Sequence, residues 1–172
     1  MKSWVLLTAA TLAAGAACAA EPAVAVFHGE HDNYDRTGAS LRLGSVWARR
    51  WGAWHAGLHP EFELSRFRYR GAGEGPETMN QAGVIGLLRV VRGQGAVQPY
   101  VELGLGGALL SRTSLGAKEF STAFQFSQHV GLGLQFADRL SAGWRYSHYS
   151  NGDIRNPNDG IDLHQFVIGA RF

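Results

Sequence analysis

The stretch Trp54-His-Ala-Gly-Leu58-His-Pro60-Glu-Phe62-Glu-Leu64-Ser65 decides the architecture, because apolar and polar or small residues alternate along it without a break. In an extended chain Trp54, Ala56, Leu58, Pro60, Phe62 and Leu64 share one side, and His55, Gly57, His59, Glu61, Glu63 and Ser65 share the other. This run is longer than the roughly five or six residues of an average strand in a small soluble sandwich.

Outward from it the same period of two recurs. On the N-terminal side, Leu41, Leu43 and Trp47 alternate with Ser40, Arg42 and Gly44. On the C-terminal side, Val101, Leu103, Leu105 and Leu109 oppose Glu102, Gly104 and Gly106, while Phe124, Phe126, Val130, Leu132, Leu134 and Phe136 oppose Gln125, Ser127, His129 and Gln135. Weaker alternation over Val24–Glu30 and Gln81–Val91, with two final runs over Arg139–Ser150 and Asp162–Phe172, brings the expectation to eight strands. An even number of long strands closes into an antiparallel barrel with no exposed edge.

Composition limits the alternatives. Of 172 residues, 23 are glycine, close to twice the usual share of about 7%, and only 17% are charged. So much glycine suits helical architectures poorly. The 16 Lys and Arg are scattered and nearly balanced by 14 Asp and Glu, which argues against nucleic acid as a partner. Residues 1–20 read as a signal peptide: Lys2 is followed by Val5-Leu6-Leu7, and Ala17-Cys18-Ala19-Ala20 offers small residues before Glu21. That leaves 21–172 as a single domain. Cleavage removes Cys18, the one cysteine, and with it disulfides, cysteine-based metal sites and thiol nucleophiles. No later apolar run reaches the roughly 18 residues of a membrane-spanning helix.

A barrel can close with its apolar face inside, as a secreted soluble protein, or outside, as a membrane barrel. The polar faces hold Arg42, Glu61, Glu63, Arg89, Glu102, Gln125, His129 and Arg145, which suit either a hydrogen-bonded lumen or a solvated exterior. The end of the chain separates the two. Phe166, Ile168, Ala170 and Phe172 alternate up to a terminal aromatic, a feature that resembles the last strand of bacterial outer-membrane barrels. Aromatics near strand ends (Trp47, Trp51, Trp54, Tyr69, Tyr146, Tyr149) agree with an apolar exterior flanked by interfacial girdles. Short links near 48–53, 92–97 and 137–139 alternate with longer ones over 31–37, 70–77, 111–119 and 151–161. The long links then share the extracellular rim of the outer membrane.

On the seventh run, the apolar row Leu140, Ala142, Trp144, Tyr146 continues into His148 and Ser150; on the eighth, the row ending at Phe172 begins at Asp162 and His164. A hydroxyl, an imidazole and a carboxylate therefore lie on the outward face of neighbouring strands at one rim. Simple pairing through the loop sets Ser150 opposite Asp162, with His148 one pair deeper. Such groups have the chemistry of a nucleophile, its base and the acid that orients the base. A rim histidine or serine can equally be an ordinary interface residue, and His164 shares the face of His148. His28, His31, His55, His59, His129 and His164 show no three at metal-ligand spacing, so no metal is expected. Gly104-Leu-Gly106-Gly107 lies inside a strand with no helix after it and reads as small residues in a narrow lumen.

The segment Tyr146-Ser-His148-Tyr-Ser150-Asn151, followed by Pro157-Asn158-Asp-Gly160-Ile161-Asp162, resembles the C-terminal signature of the outer-membrane lipid A 3-O-deacylases of the PagL type. Pro99-Tyr-Val-Glu102-Leu-Gly104-Leu-Gly106 and Phe124–Phe136 are similar to that family as well, and the N-terminal half matches it in strand pattern alone. The resemblance implies hydrolysis of the ester-linked 3-hydroxyacyl chain of lipid A in the outer leaflet, with no cofactor. Ser150 would be nucleophile, His148 base and Asp162 acid, at a position where the best-known member carries the longer Glu. Asn151 and Gly152 would supply oxyanion donors. Two other functions fit the same residues: a non-enzymatic barrel, structural or adhesin-like, and an acyltransferase. The pattern carries no indication of oligomeric state.

If the leader is removed as read, N-terminal sequencing of the membrane-extracted protein starts at Glu21 and a maleimide probe finds no thiol to label.

Overall fold

A computed structural model describes residues 22–73, 75–93, 95–137 and 139–172; the expected leader lies outside the described residues. The strands are β1 (Ala23–His31), β2 (Tyr34–Arg42), β3 (Trp47–Trp51), β4 (Trp54–Tyr69), β5 (Thr78–Arg92), β6 (Val97–Leu110), β7 (Ser114–Leu115), β8 (Lys118–Glu119), β9 (Phe124–Phe136), β10 (Leu140–Ser150) and β11 (Ile161–Arg171). Antiparallel neighbours run β2-β1-β11-β10-β9-β6-β5-β4-β3, and a further pairing of β2 with β4 closes the sheet on itself. β2 and β3 occupy one place in the wall, since they pair with residues 61–69 and 54–58 of β4 respectively. Counting that interrupted strand once, eight strands form the barrel. β7 and β8 make a separate small hairpin in the link between β6 and β9.

The first link departs from the expected long loop over 31–37. The chain turns through Asp32, which has a φ of 52°, and Asn33, and β2 starts at Tyr34. Apolar alternation conceals this because the outward row of β2 begins Asp35, Thr37, Ala39 and turns apolar only at Leu41. The later long links are present, and the opposite rim has the short turns expected of it.

The apolar face is the outer one. Val26, Phe62, Leu64, Val84, Leu103, Leu105, Leu132, Phe166 and Ile168 are all exposed on the wall, whereas Arg42, Glu61, Glu63, Arg89, Glu102, Gln125, His129 and Arg145 are all buried inside. Water would disfavour such an exterior, and hydrocarbon suits it. The interior is filled by an ionic network. Arg145 contacts Glu61 and Glu102 at 2.8 Å and Glu63 at 3.1 Å, Arg89 holds Glu102 at 2.8 Å, and Arg36 holds Glu63 at 2.6 Å. Arg36 also donates to Gln165 and Gln81, which ties β2 to strands on both sides of the lumen. Tyr100 lies across Gly133 and Gly143, where any Cβ would collide with its phenol.

Toward the rim of the longer loops the arrangement inverts. Tyr34, Phe67, Met79, Leu110, Tyr149, Ile161 and Leu163 point inward and pack with Leu115 and Phe120 of the overlying loop into an apolar cap. At the same height the outward positions carry Arg66, Arg68, Thr78 and Asn80. The lumen is therefore charged in the middle of the barrel and sealed by a small core at one end.

Replacing Arg145 by Met leaves Glu61, Glu63 and Glu102 short of their shared cation, and the loss of stability in urea unfolding from vesicles should be about 3–5 kcal/mol.

Candidate active site

β10 and β11 pair with Tyr146 opposite His164, His148 opposite Asp162 and Tyr149 opposite Ile161. Arg145, Ser147 and Tyr149 are buried in the lumen, so the alternating positions Tyr146, His148 and Ser150 face outward; Ile161 and Leu163 likewise turn inward, leaving Asp162 and His164 outward. All three expected site side chains thus share the outer face. The register differs from the simple expectation by one pair, because His148 itself, and not Ser150, stands across from Asp162. The ladder stops at Tyr149–Ile161, and Ser150 lies beyond it at the level of Gly160. A shift of two residues moves a side chain along its face without turning it over.

His148 Nδ1 meets Asp162 Oδ1 at 2.7 Å, with about a third of each side chain accessible (33% and 39%). A carboxylate at Nδ1 keeps the proton on that nitrogen and leaves the lone pair of Nε2 for another group. Ser150 is the next outward residue along β10, about 6.5–7 Å further at the backbone. Gly160 marks how closely the parts meet: its φ is +59°, and a Cβ built there would lie 3.4 Å from His148 Cε1 and 3.7 Å from the Ser150 Cβ. The left-handed backbone is what calls for glycine here.

The loop after Ser150 is tied down by Asn151, which is fully buried. Its Nδ2 donates to Phe120 O at 2.8 Å and Arg155 O at 2.7 Å, and its backbone N–H donates to Asn158 Oδ1 at 3.0 Å. Asp159 adds a reciprocal clamp, accepting from the Glu119 N–H at 2.6 Å and donating its own N–H to Glu119 O at 3.1 Å. Both kinds of donor expected from Asn151 are therefore engaged in holding the loops. The Gly152 N–H makes no hydrogen bond among the described residues, and its φ of +63° turns the chain sharply just past Ser150.

The other histidines are accounted for differently. His164 stacks on Trp144 with ring centroids 5.7 Å apart and lies 5.5 Å from Tyr146, while the hydrogen bonds to Asp162 come from His148 and Tyr146. His129 sits between Ser127 at 2.8 Å and Ser147 at 2.6 Å, but all three are sealed in the lumen. His28 bonds Thr37, and His59 bonds the Leu43 carbonyl. Of Gly104 to Gly107, Gly104 does make room inside for His129, whereas Gly107 faces out beneath the Phe124 ring.

A closed antiparallel barrel with an apolar exterior and a filled lumen defines a membrane-barrel protein. A family model described as lipid A 3-O-deacylase (PagL) matches residues 32–171. The lipid A deacylase PagL of Bordetella bronchiseptica is 32% identical over 151 residues, covering 87% of this chain and 83% of that protein. The lipid A deacylase PagL of Pseudomonas aeruginosa is 39% identical over 67 residues, 39% of each chain. The chain accordingly belongs to the PagL family. In fold it is similar to the crystal structure of the outer membrane enzyme PagL, with a TM-score of 0.70 at 20% identity over 87% of this chain and 99% of the other.

The sequence puts Tyr146 on the outward row, among the interfacial aromatics and at the head of the signature segment, without a role in the site, yet its hydroxyl bonds Asp162 Oδ1 at 2.5 Å. The register that brings it there depends on the 151–160 loop, which no local pattern discloses. The Asn151 clamp predicts that Asn151→Ala frees this loop, so that limited trypsin digestion of the folded barrel cuts after Arg155 at least about tenfold faster than in the parent protein.

Proposed function

We propose that this chain removes the 3-O-linked hydroxyacyl chain of lipid A in lipopolysaccharide, acting as a serine esterase through Ser150, His148 and Asp162. The observation that carries the reading is the outward pair His148–Asp162, joined at 2.7 Å, with Ser150 beside it on the same wall. The substrate side follows from the family, since the relatives carry the name lipid A deacylase. The lumen is filled by Arg36, Arg145 and their glutamates, so a lipid reaches the site sideways through the outer wall.

His148 Nε2 takes the proton of Ser150 Oγ as that oxygen bonds to the ester carbonyl carbon, and Asp162 stabilises the imidazolium that results. The free N–H of Gly152 is the oxyanion donor at this corner, held in place by Asn151; losing such a donor typically raises the barrier by about 2.7–4 kcal/mol. Collapse of the tetrahedral adduct breaks the bond from the acyl carbon to the sugar 3-oxygen, which receives the proton from His148. Water, activated by the same imidazole, then attacks the acyl-Ser150 carbonyl, releases the 3-hydroxy fatty acid and restores the serine. The long-loop rim is the extracellular one, so the site meets the outer leaflet, where lipid A resides.

Expression of the protein should lower the mass of cellular lipid A by one 3-hydroxyacyl group and release the free fatty acid. Ser150→Ala should abolish the change, and His148→Asn should slow turnover by about 10²–10⁴-fold in a barrel that still folds. An unchanged lipid A mass with the folded protein present overturns the reading; the missing acyl chain reappearing on another lipid would make the enzyme a transferase.

A further inference from the structure

One polar group at the site has no place in that sequence of steps. Tyr146 is two residues before His148 on β10 and pairs across the ladder with His164, so its phenol reaches Asp162 on the diagonal. Its hydroxyl donates to Asp162 Oδ1 at 2.5 Å, the same oxygen that His148 Nδ1 meets at 2.7 Å. The phenol ring is itself confined, with the His164 ring 5.5 Å away and His164 stacked in turn on Trp144.

The carboxylate needs such a partner. Asp162 is a short side chain on an outward position with 39% of its surface accessible, and among the described residues its side-chain hydrogen bonds come from His148 and Tyr146. A single hydrogen bond to a mobile imidazole leaves its torsion free to swing. Two donors converging on Oδ1 from adjacent levels of β10 leave one rotamer that satisfies both. The other titratable groups around it, Glu30 and His31 of β1 and His164 of β11, make no hydrogen bond to Asp162 among the described residues.

We infer that Tyr146 is a positioning residue, whose hydroxyl fixes the Asp162 carboxylate against His148 Nδ1 and so keeps His148 Nε2 directed at Ser150. The inference rests on the triad reading given above. It separates the hydroxyl from the ring: a Tyr146 that merely belongs to the interfacial aromatic girdle would be replaced by Phe without consequence.

The test is a double-mutant cycle on the purified barrel in mixed micelles with lipid A, following released 3-hydroxy fatty acid, with the heat-dependent shift in gel mobility as the check on folding. In the parent background Tyr146→Phe should lower kcat about three- to tenfold, the range one net hydrogen bond supplies, and leave KM unchanged. In an Asp162→Ala background, where there is no carboxylate to hold, the same substitution should have no further effect. Full kcat in folded Tyr146→Phe, or an equal drop in both backgrounds, removes the positioning role while the triad stands. Full activity in folded Asp162→Ala overturns the triad reading and this inference with it.

Discussion

A backbone amide inside hydrocarbon has no water to bond, so every strand of this wall must find its partner in the next one, and the last must find the first. The β1–β11 pairing joins last to first, and the β2–β4 pairing completes the ring even though the chain breaks step between Arg42 and Trp47. Closure then dictates side-chain direction everywhere: with a period of two, each residue faces either lipid or lumen. Most of the charges that alternation sends inward are paired across the confined lumen. Arg36, Arg89 and Arg145 among Glu61, Glu63 and Glu102 are the consequence, and they leave a plug where a wider barrel would have a channel.

The same rule, carried past the edge of the hydrocarbon, produces the inverted rim. Strands as long as β4, with 16 residues, exceed what a bilayer core needs, about 9–11. Above the lipid the solvent is outside and the only place to bury apolar surface is inside, so Phe67, Met79, Leu110, Ile161 and Leu163 turn inward while Arg66, Asn80, His148 and Asp162 face out. Nothing in the backbone changes at this level. The outward polar groups of the site share this level with Arg66 and Asn80, whereas β9 keeps an apolar outer residue there, Phe126, across from Ser150.

This explains what could be read from the chain and what could not. The outward direction of His148, Ser150 and Asp162 was legible, because it follows from parity along strands whose lower halves are plainly apolar on one side. The lumen residues were legible for the same reason, apart from Arg36, which lies on a strand whose outer row is too polar to announce itself. Register is another matter. Parity is blind to shifts of two residues, so the sequence placed Ser150 opposite Asp162 where the chain pairs His148 there. The loop that sets this is held by Asn151 to Phe120 and by Asp159 to Glu119, contacts made across 31 and 40 residues of chain. Long-range clamps leave no periodic trace, and the bond from Tyr146 to Asp162 depends on them in turn.

The proposed hydrolysis of a membrane-lipid ester sets two needs that conflict: the ester lies at the top of the hydrocarbon, and water must reach the acyl-enzyme. Lower on the same wall, at the level of Phe166 and Ile168, a carboxylate would be surrounded by acyl chains and an imidazolium would have no hydration. Higher, in the loops, the geometry of a strand pair would be lost. The upper pairs of β10 and β11 lie where the wall passes from lipid to water, the ladder still fixes His148 against Asp162, and about a third of each side chain is accessible. The height of the inversion, set by strand length and side-chain parity, therefore limits the site to about one turn of the pleat.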